Sequence, residues 1–371
     1  MSFLYCKPSV FVVGKEYEIL LNVKTYGICF IEIGEEIYYE ENSGVLPSER
    51  TVVKIRVSQS ALNKAKEYSV VFRETEDRKS YFSTFKELQV EKFSFKPLEK
   101  MQDIHIYHIA DVHYRFEEAK KMASYFGNDT DLFVLNGDIG EVETEENFLE
   151  VCEFTGEISQ GEIPMIFVRG NHDTRGRLSE LYPKYFPVDG KNTYFTFEIG
   201  CLNGVVLDCG EDKLDEREEY DSSENTPTKY RGLNRFHAYR ERELVFLKEL
   251  DFTSGDKIPF AISHVCPIMT TYQPNGVFDI ERELYSQWNE ELERLGIKFM
   301  LCGHLHKAFI LLQGDEQNLI EHTYPVVVGA AHTYDDLWGA AITLNKDKMT
   351  VCFTNCAREV EESYNLLFEK N

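Results

Sequence analysis

Pro164-Met165-Ile166-Phe167-Val168-Arg169-Gly170-Asn171-His172-Asp173 joins a short apolar run to a polar turn, and the reading of this stretch decides the fold. A run this short, bounded by turn residues, reads as a buried strand. The same grammar recurs along the chain. Ile104–Ala110 leads into Asp111-Val112-His113, and Leu132–Leu135 into Asn136-Gly137-Asp138. Pro259–Ile262 leads into Ser263-His264, and Phe299–Leu301 into Cys302-Gly303-His304-Leu305-His306. In open α/β sheets, ligands bind beyond the carboxyl ends of the strands. Five such ends would place three carboxylates, five imidazoles and the Asn171 amide along one edge, the composition of a site.

Outward from these runs, the chain after residue 101 alternates strand, polar loop and helix. Tyr114–Phe126, Thr144–Ile158, Ala238–Leu250 and Asp279–Arg294 are expected helices, with Ile280, Leu284, Trp288 and Leu292 stepping by four in the last. Phe195–Ile199 with Gly204–Leu207, and Ala340–Leu344 with Met349–Phe353, are expected hairpins. Glu211–Phe236 is long, acidic and aperiodic, which inside a compact domain predicts a lid or binding loop. Residues 1–98 have another texture. Ser9–Val13, Tyr17–Val23, Ile28–Ile33, Val52–Val57, Tyr68–Arg73 and Leu88–Phe95 are short, rich in Val, Ile, Tyr and Phe, and separated by turn residues. That is the pattern of a β-sandwich. Pro97-Leu98-Glu99-Lys100 reads as a linker, dividing a domain over 1–98 from one over 99–371.

Bulk properties narrow the class. Apolar residues make up 43% of the 371, ordinary for a soluble globular chain. A formal net charge of −24 opposes docking on a polyphosphate backbone. Nine cysteines without a Cys-x-x-Cys pair read as reduced thiols of a cytoplasmic protein. The N-terminus shows no basic region followed by an apolar core, and no apolar run approaches the ~20 residues of a membrane span. A cytoplasmic location is therefore expected.

Taken singly, each polar motif is a capped turn or a solvated ring. Order and placement of the whole set change this, since imidazole is the commonest transition-metal ligand and alternate residues of Gly303-His304-Leu305-His306 can turn toward one centre. The series Asp111-x-His113, Gly137-Asp138, Gly170-Asn171-His172-Asp173, His264 and Gly303-His304-x-His306 resembles the calcineurin-like metallophosphoesterase superfamily, over residues 104 to about 310. The front domain is similar in architecture to the fibronectin/immunoglobulin-like sandwich preceding the catalytic domain of purple acid phosphatase-like proteins.

The resemblance implies an α/β (α+β) four-layer sandwich of two mixed sheets flanked by helices, with two metals at the strand ends. It implies that Asp111, His113 and His306 hold one ion, that Asn171, His264 and His304 hold the other, and that Asp138 bridges them. Two dications roughly 3.5–4 Å apart repel strongly, and a shared carboxylate with a bridging hydroxide reduces that repulsion. Nitrogen and oxygen ligands without thiolate favour Mn, Fe, Co, Ni or Zn. The implied reaction is attack of that hydroxide on a phosphate mono- or diester. His172 would donate a proton to the leaving oxygen, with Asp173 orienting its ring. Arg175, Tyr230 and Arg231 are candidate substrate contacts, and Arg169 also flanks the turn. Glu141 stands where purple acid phosphatases carry a tyrosine, and His113 where they lack a histidine, so the catalytic part resembles the non-purple branch. The expected substrate is a small-molecule or peptide-borne phosphoester. A nuclease shares the ligand series, but the net charge weighs against nucleic acid. An inactive interaction scaffold would have lost ligands, and none is missing.

Overall fold

Ile104–Ile109, Leu132–Asn136 and Met165–Val168 are parallel neighbours, as apolar runs buried on both faces should be. A computed structural model describes residues 2–216, 232–252, 256–269, 280–329, 331–333 and 336–368. Among these, nine strands form one sheet: Val360–Leu367, Lys348–Thr354, Gly339–Leu344, Ile104–Ile109, Leu132–Asn136, Met165–Val168, Ser9–Val13, Glu16–Asn22, Val52–Ser58. A second sheet runs Phe195–Ile199, Leu202–Leu207, Ile258–Ser263, Met300–Cys302, Val326–Val328, Phe309–Leu311.

Alternate side chains of these strands enter different cores. Ile104, Ile106 and Val134 meet Phe197, Ile262 and Leu301 between the sheets. Tyr107, Ile109, Phe133 and Leu135 face outward onto Met122, Phe148 and Cys152 of helices Phe116–Ala123 and Glu145–Ser159. Leu244, Leu247, Trp288 and Leu292, from helices Phe236–Glu249 and Arg282–Arg294, cover the second sheet. The result is the expected four-layer sandwich of helix, sheet, sheet and helix. Full burial of one such side chain is worth about 1.5–3 kcal/mol, so packing anchors the strand ends from which the site loops spring.

Local chemistry sets the helix ends. Thr144 caps Glu145–Ser159 through a capping box with Asn147, and Gln160 closes it in the left-handed region. The helix expected from Tyr114 begins at Phe116, because Tyr114 sits at φ +67°.

The front strands form a β-sandwich. Gly27–Ile33, Glu36–Tyr39, Glu67–Asp77, Thr84–Phe85 and Gln89–Ser94 make its second face, packed through Ile31, Val70 and Phe72 onto Ile19, Leu21 and Ile55. Its first face continues the nine-stranded sheet: Phe11 pairs in parallel with Met165. The Tyr68 hydroxyl donates to the Gly161 carbonyl at 2.9 Å, and the Ser9 and Thr155 hydroxyls meet at 2.7 Å. Position 98 therefore divides the chain by composition but not the sheet. Among the described residues, no helix is long and apolar enough to cross a membrane.

Candidate metal centre

Five of the expected ligands lie in the left-handed region: Asp111 (φ +52°), His113 (+44°), Asp138 (+54°), His304 (+69°) and His306 (+50°). Non-glycine residues held there cost about 1–3 kcal/mol each and cluster at functional sites. The turns fold each loop back over its strand end, where the loops lace together. Asp111 N–H donates to Gly137 O and His113 N–H to Asp138 O, both at 3.1 Å, and Gly303 N–H to His264 O at 2.9 Å. Such proximity requires glycine: a Cβ on Gly137 would stand 2.5 Å from the His264 ring, and one on Gly303 would stand 2.7 Å from Ala110 Cβ.

The seven expected ligands converge. Ligand atoms of Asp111, His113 and His306 lie within 4.8 Å of one another, as do those of Asp111, Asp138 and His264. Asp111 Oδ1 is 3.5 Å from His306 Nε2, and Asp138 Oδ2 is 3.1 Å from His264 Nε2. Asn171 Oδ1 faces His264 Nε2 at 3.1 Å and His304 Nδ1 at 3.0 Å. The opposite sides of these groups are tied back. His264 Nδ1 bonds the Asn136 carbonyl at 2.6 Å, and Asp111 Oδ2 accepts from His304 N–H at 2.8 Å. The buried Asn136 amide donates to the Ser263 and Leu301 carbonyls at 3.3 and 3.2 Å, joining the two sheets beneath the site.

These residues fit metal. Asp111 Oδ1 and His113 Nε2 are buried without a hydrogen-bond partner. The Asn171 oxygen points at two imidazole nitrogens, an arrangement that a cation would join; reversed, the amide would donate to both rings and to Asp138. Charge follows the same geometry. Burial works against the ionised forms of Asp138 and His264, but each outweighs it for the other. The Asp138 carboxyl is held well below its usual range, and the His264 imidazole, facing Asp138 and Asp111, is carried up to about 10.

The remaining candidates lie around this cluster. His172 stands at its edge, its side chain 41% exposed and its ring edge-on to His113 with centroids 5.1 Å apart. Burial, together with Arg175 and His113, takes His172 down to about 4 against the pull of Asp138. Asp173 does not orient that ring. Its Oδ2 accepts from the N–H groups of Gly170 (2.7 Å) and Asp138 (3.3 Å), closing the turn, while burial and the charge of Asp138 raise it to about 7. The group facing the ring is Arg175, whose Nη1 lies 3.2 Å from His172 Nε2. Arg175 is not an open phosphate contact either: Glu211 takes its Nε and Nη2 at 2.6 and 2.5 Å. Arg169 pairs with the buried Asp208 at 2.6 Å. Tyr230 and Arg231 lie outside the described residues.

Glu211 and Asp212 open the segment expected to be a lid or binding loop, but neither is among the expected site residues. Asp212 Oδ2 is 3.4 Å from His304 Nε2. The signal that could have found them is the strand-end rule itself. Leu202–Leu207 pairs in parallel with Ile258–Ser263, so its carboxyl end joins the same edge; the hairpin pattern alone does not reveal that pairing.

A four-layer sandwich with aspartates, histidines and an asparagine gathered at its strand ends is the frame of a metal-dependent phosphoester hydrolase. The chain belongs to the calcineurin-like phosphoesterase family, whose profile matches residues 104–308. No curated protein matches it. Its fold is similar to that of purple acid phosphatase PPD1 from yellow lupin (Lupinus luteus) seeds, with a TM-score of 0.62 and 11% identity, covering 97% of this chain and 74% of that one. It is similar also to PhoD, with a TM-score of 0.59 and 11% identity, covering 99% and 89%. Both likenesses are of fold, and both extend through the front sandwich.

Proposed function

We propose that this chain hydrolyses phosphate mono- or diesters with two divalent transition-metal ions. Asp111, His113 and His306 would hold one, Asn171, His264 and His304 the other, and Asp138 would be shared; Mn, Fe, Zn, Co and Ni all suit the donor set. The observation that carries the reading is the convergence of all seven side chains from five strand ends, with Asp111 Oδ1 and His113 Nε2 buried among them without a hydrogen-bond partner. When bound, such ions supply positive charge for the phosphoryl oxygens and lower the pKa of a coordinated water.

The protein's own groups set the rest. Asp138 Oδ1 accepts the His172 N–H at 2.9 Å, which fixes the plane of the carboxylate and leaves Oδ2 toward His264. His172, half-exposed beside the cluster, is reachable by a leaving group arriving from solvent. That oxygen needs a proton or positive charge as it departs; His172, neutral in the free protein, would take up its proton once the negative charge of a phosphate ester lies beside it, and the Arg175 guanidinium would add positive charge. The net charge of −24 favours a small-molecule or peptide-borne ester over nucleic acid. The nine cysteines are all free thiols, which suits a reducing compartment such as the cytoplasm.

The test reconstitutes the protein with Mn²⁺ or Zn²⁺, measures ions per chain, and assays an aryl phosphate, a bis-aryl phosphate, a cyclic nucleotide and a phosphopeptide. Two ions per chain and turnover of at least one ester are expected. Saturation at one ion would sink the shared role of Asp138; full loading without turnover of any ester would sink the hydrolase.

A further inference from the structure

The carboxyl end of Leu202–Leu207 delivers Asp208-Cys209-Gly210-Glu211-Asp212-Lys213 to the edge where the expected ligands meet. Buried groups lock this segment. Asp208 pairs with Arg169, the residue before Gly170, and its N–H donates to Glu243 Oε1 at 2.8 Å. Arg240 Nε donates to the Cys209 carbonyl at 2.8 Å, and its Nη2 donates to the Glu211 carbonyl. Thus fixed, Asp212 faces two ways. Oδ2 faces His304 Nε2 at 3.4 Å; Oδ1 accepts from Arg175 Nη2 at 3.1 Å and from Lys213 Nζ at 2.7 Å.

We infer that Asp212 is a positioning residue common to both halves of the site. It fixes the ring of His304 from behind and, with Glu211, holds Arg175 so that the guanidinium sets the ring of His172. Either an ion at Nδ1 or the reversed Asn171 amide, whose NH2 would donate to His304 Nδ1 at 3.0 Å, leaves the ring proton on Nε2, and a carboxylate at Nε2 keeps that tautomer while raising the basicity of Nδ1. The planar fork of an arginine does the other half. A buried carboxylate that takes Nε and Nη2 leaves Nη1 directed at His172. The inference rests on the proposed roles of His304 and His172, but its calorimetric and spectroscopic readouts need no hydrolysis.

The experiment uses the full chain after chelator treatment and dialysis, titrated calorimetrically with Mn²⁺ alone, for wild type, Asp212→Asn and Arg175→Lys. Asp212→Asn should bind the same number of ions, one of them about 10–100-fold more weakly. Arg175→Lys should keep the affinities and lower kcat on an alkyl phosphate without raising KM. Imidazole ¹⁵N spectra, with His304 assigned through His304→Gln, should show Nε2–H in wild type and mixed tautomers in Asp212→Asn. Unchanged affinity with an unchanged tautomer in Asp212→Asn overturns the inference, and an Nδ1–H tautomer in wild type overturns it even if that variant does not fold. A rise in KM alone for Arg175→Lys would make Arg175 a substrate contact and overturn its half. Weakened binding in a chain that turns over no ester supports the His304 contact and counts only against the hydrolase.

Discussion

At the scale of single residues, charge and protons decide what each side chain contributes. Asp138→Asn should cost more activity than His113→Ala, because it removes a charge proposed to be shared by two cations, whereas His113 is one neutral ligand that water can replace. Equal losses at equal metal content would contradict the sharing. His172→Gln should retain both ions and sharpen the dependence on leaving group: little loss for an aryl phosphate, whose phenolate departs unaided, and about 10²–10⁴-fold for an alkyl ester. Parallel leaving-group plots for the two proteins would reduce His172 to a positioning role. His108 offers a test away from the ligands. It is fully buried, its Nδ1 makes no hydrogen bond, and burial takes it down to about 3. The unfolded chain therefore binds a proton below about pH 6.5 that the folded chain refuses, so stability falls with pH from there and the loss is complete only near 3. Between pH 7.5 and 5 this one group should remove about 2 kcal/mol. Urea unfolding in chelator should show a shallower pH dependence for His108→Gln; identical slopes would mean that the ring takes up its proton as readily in the fold as in the unfolded chain.

At the scale of elements, the site depends on loops pressed against one another. A Cβ on Gly303 would meet Ala110 Cβ at 2.7 Å, Asp111 Oδ2 at 2.9 Å and His264 Nδ1 at 3.1 Å. Gly303→Ala should therefore destabilise by about 1–3 kcal/mol and lose metal with it; a thermal melt and elemental analysis check this, and a variant with wild-type metal content would show that the loop has slack. The same closeness explains what was legible in the sequence. Runs such as Leu132–Asn136 are buried on both faces, so they read as unbroken apolar stretches, and a ligand at the end of each stands out. Three features were hidden. Leu202–Leu207 has an antiparallel partner in Phe195–Ile199 and a parallel one in Ile258–Ser263, and only the first is local enough to read, so Asp212 was missed. Val360–Leu367 is a mostly exposed edge strand, with only Tyr364 and Leu366 half-buried against the core to mark its inner face. Where Asp173 points depends on the N–H groups of Gly170 and Asp138, which no side-chain pattern records.

At the scale of the whole molecule, composition and connectivity disagree about how many units there are. Texture changes near residue 98, yet Ser9–Val13 covers the edge that Met165–Val168 would otherwise leave open. One hydrophobic cluster also runs from Phe3, Val70 and Phe72 through Ile106 and Ile166 to Phe299 and Phe368, with no break at the linker. A continuous sheet and a continuous core argue for a single cooperative unit, in which a defect in the sandwich weakens the metal-binding half. Phe72 is a suitable place to look. It is fully buried in the sandwich and stacks on Phe3 with ring centroids 5.1 Å apart. Both tryptophans, Trp288 and Trp338, lie beyond residue 98, so their fluorescence reports on the other half. Phe72→Ala should cost about 3–5 kcal/mol by transfer and cavity terms together. In a single unit, the urea midpoint read by tryptophan fluorescence should fall with that read by far-UV circular dichroism, and the two curves should coincide. A circular-dichroism curve that splits in two, with the fluorescence midpoint unmoved, would mean that the halves unfold independently and that the shared strand pairing carries little of the energy.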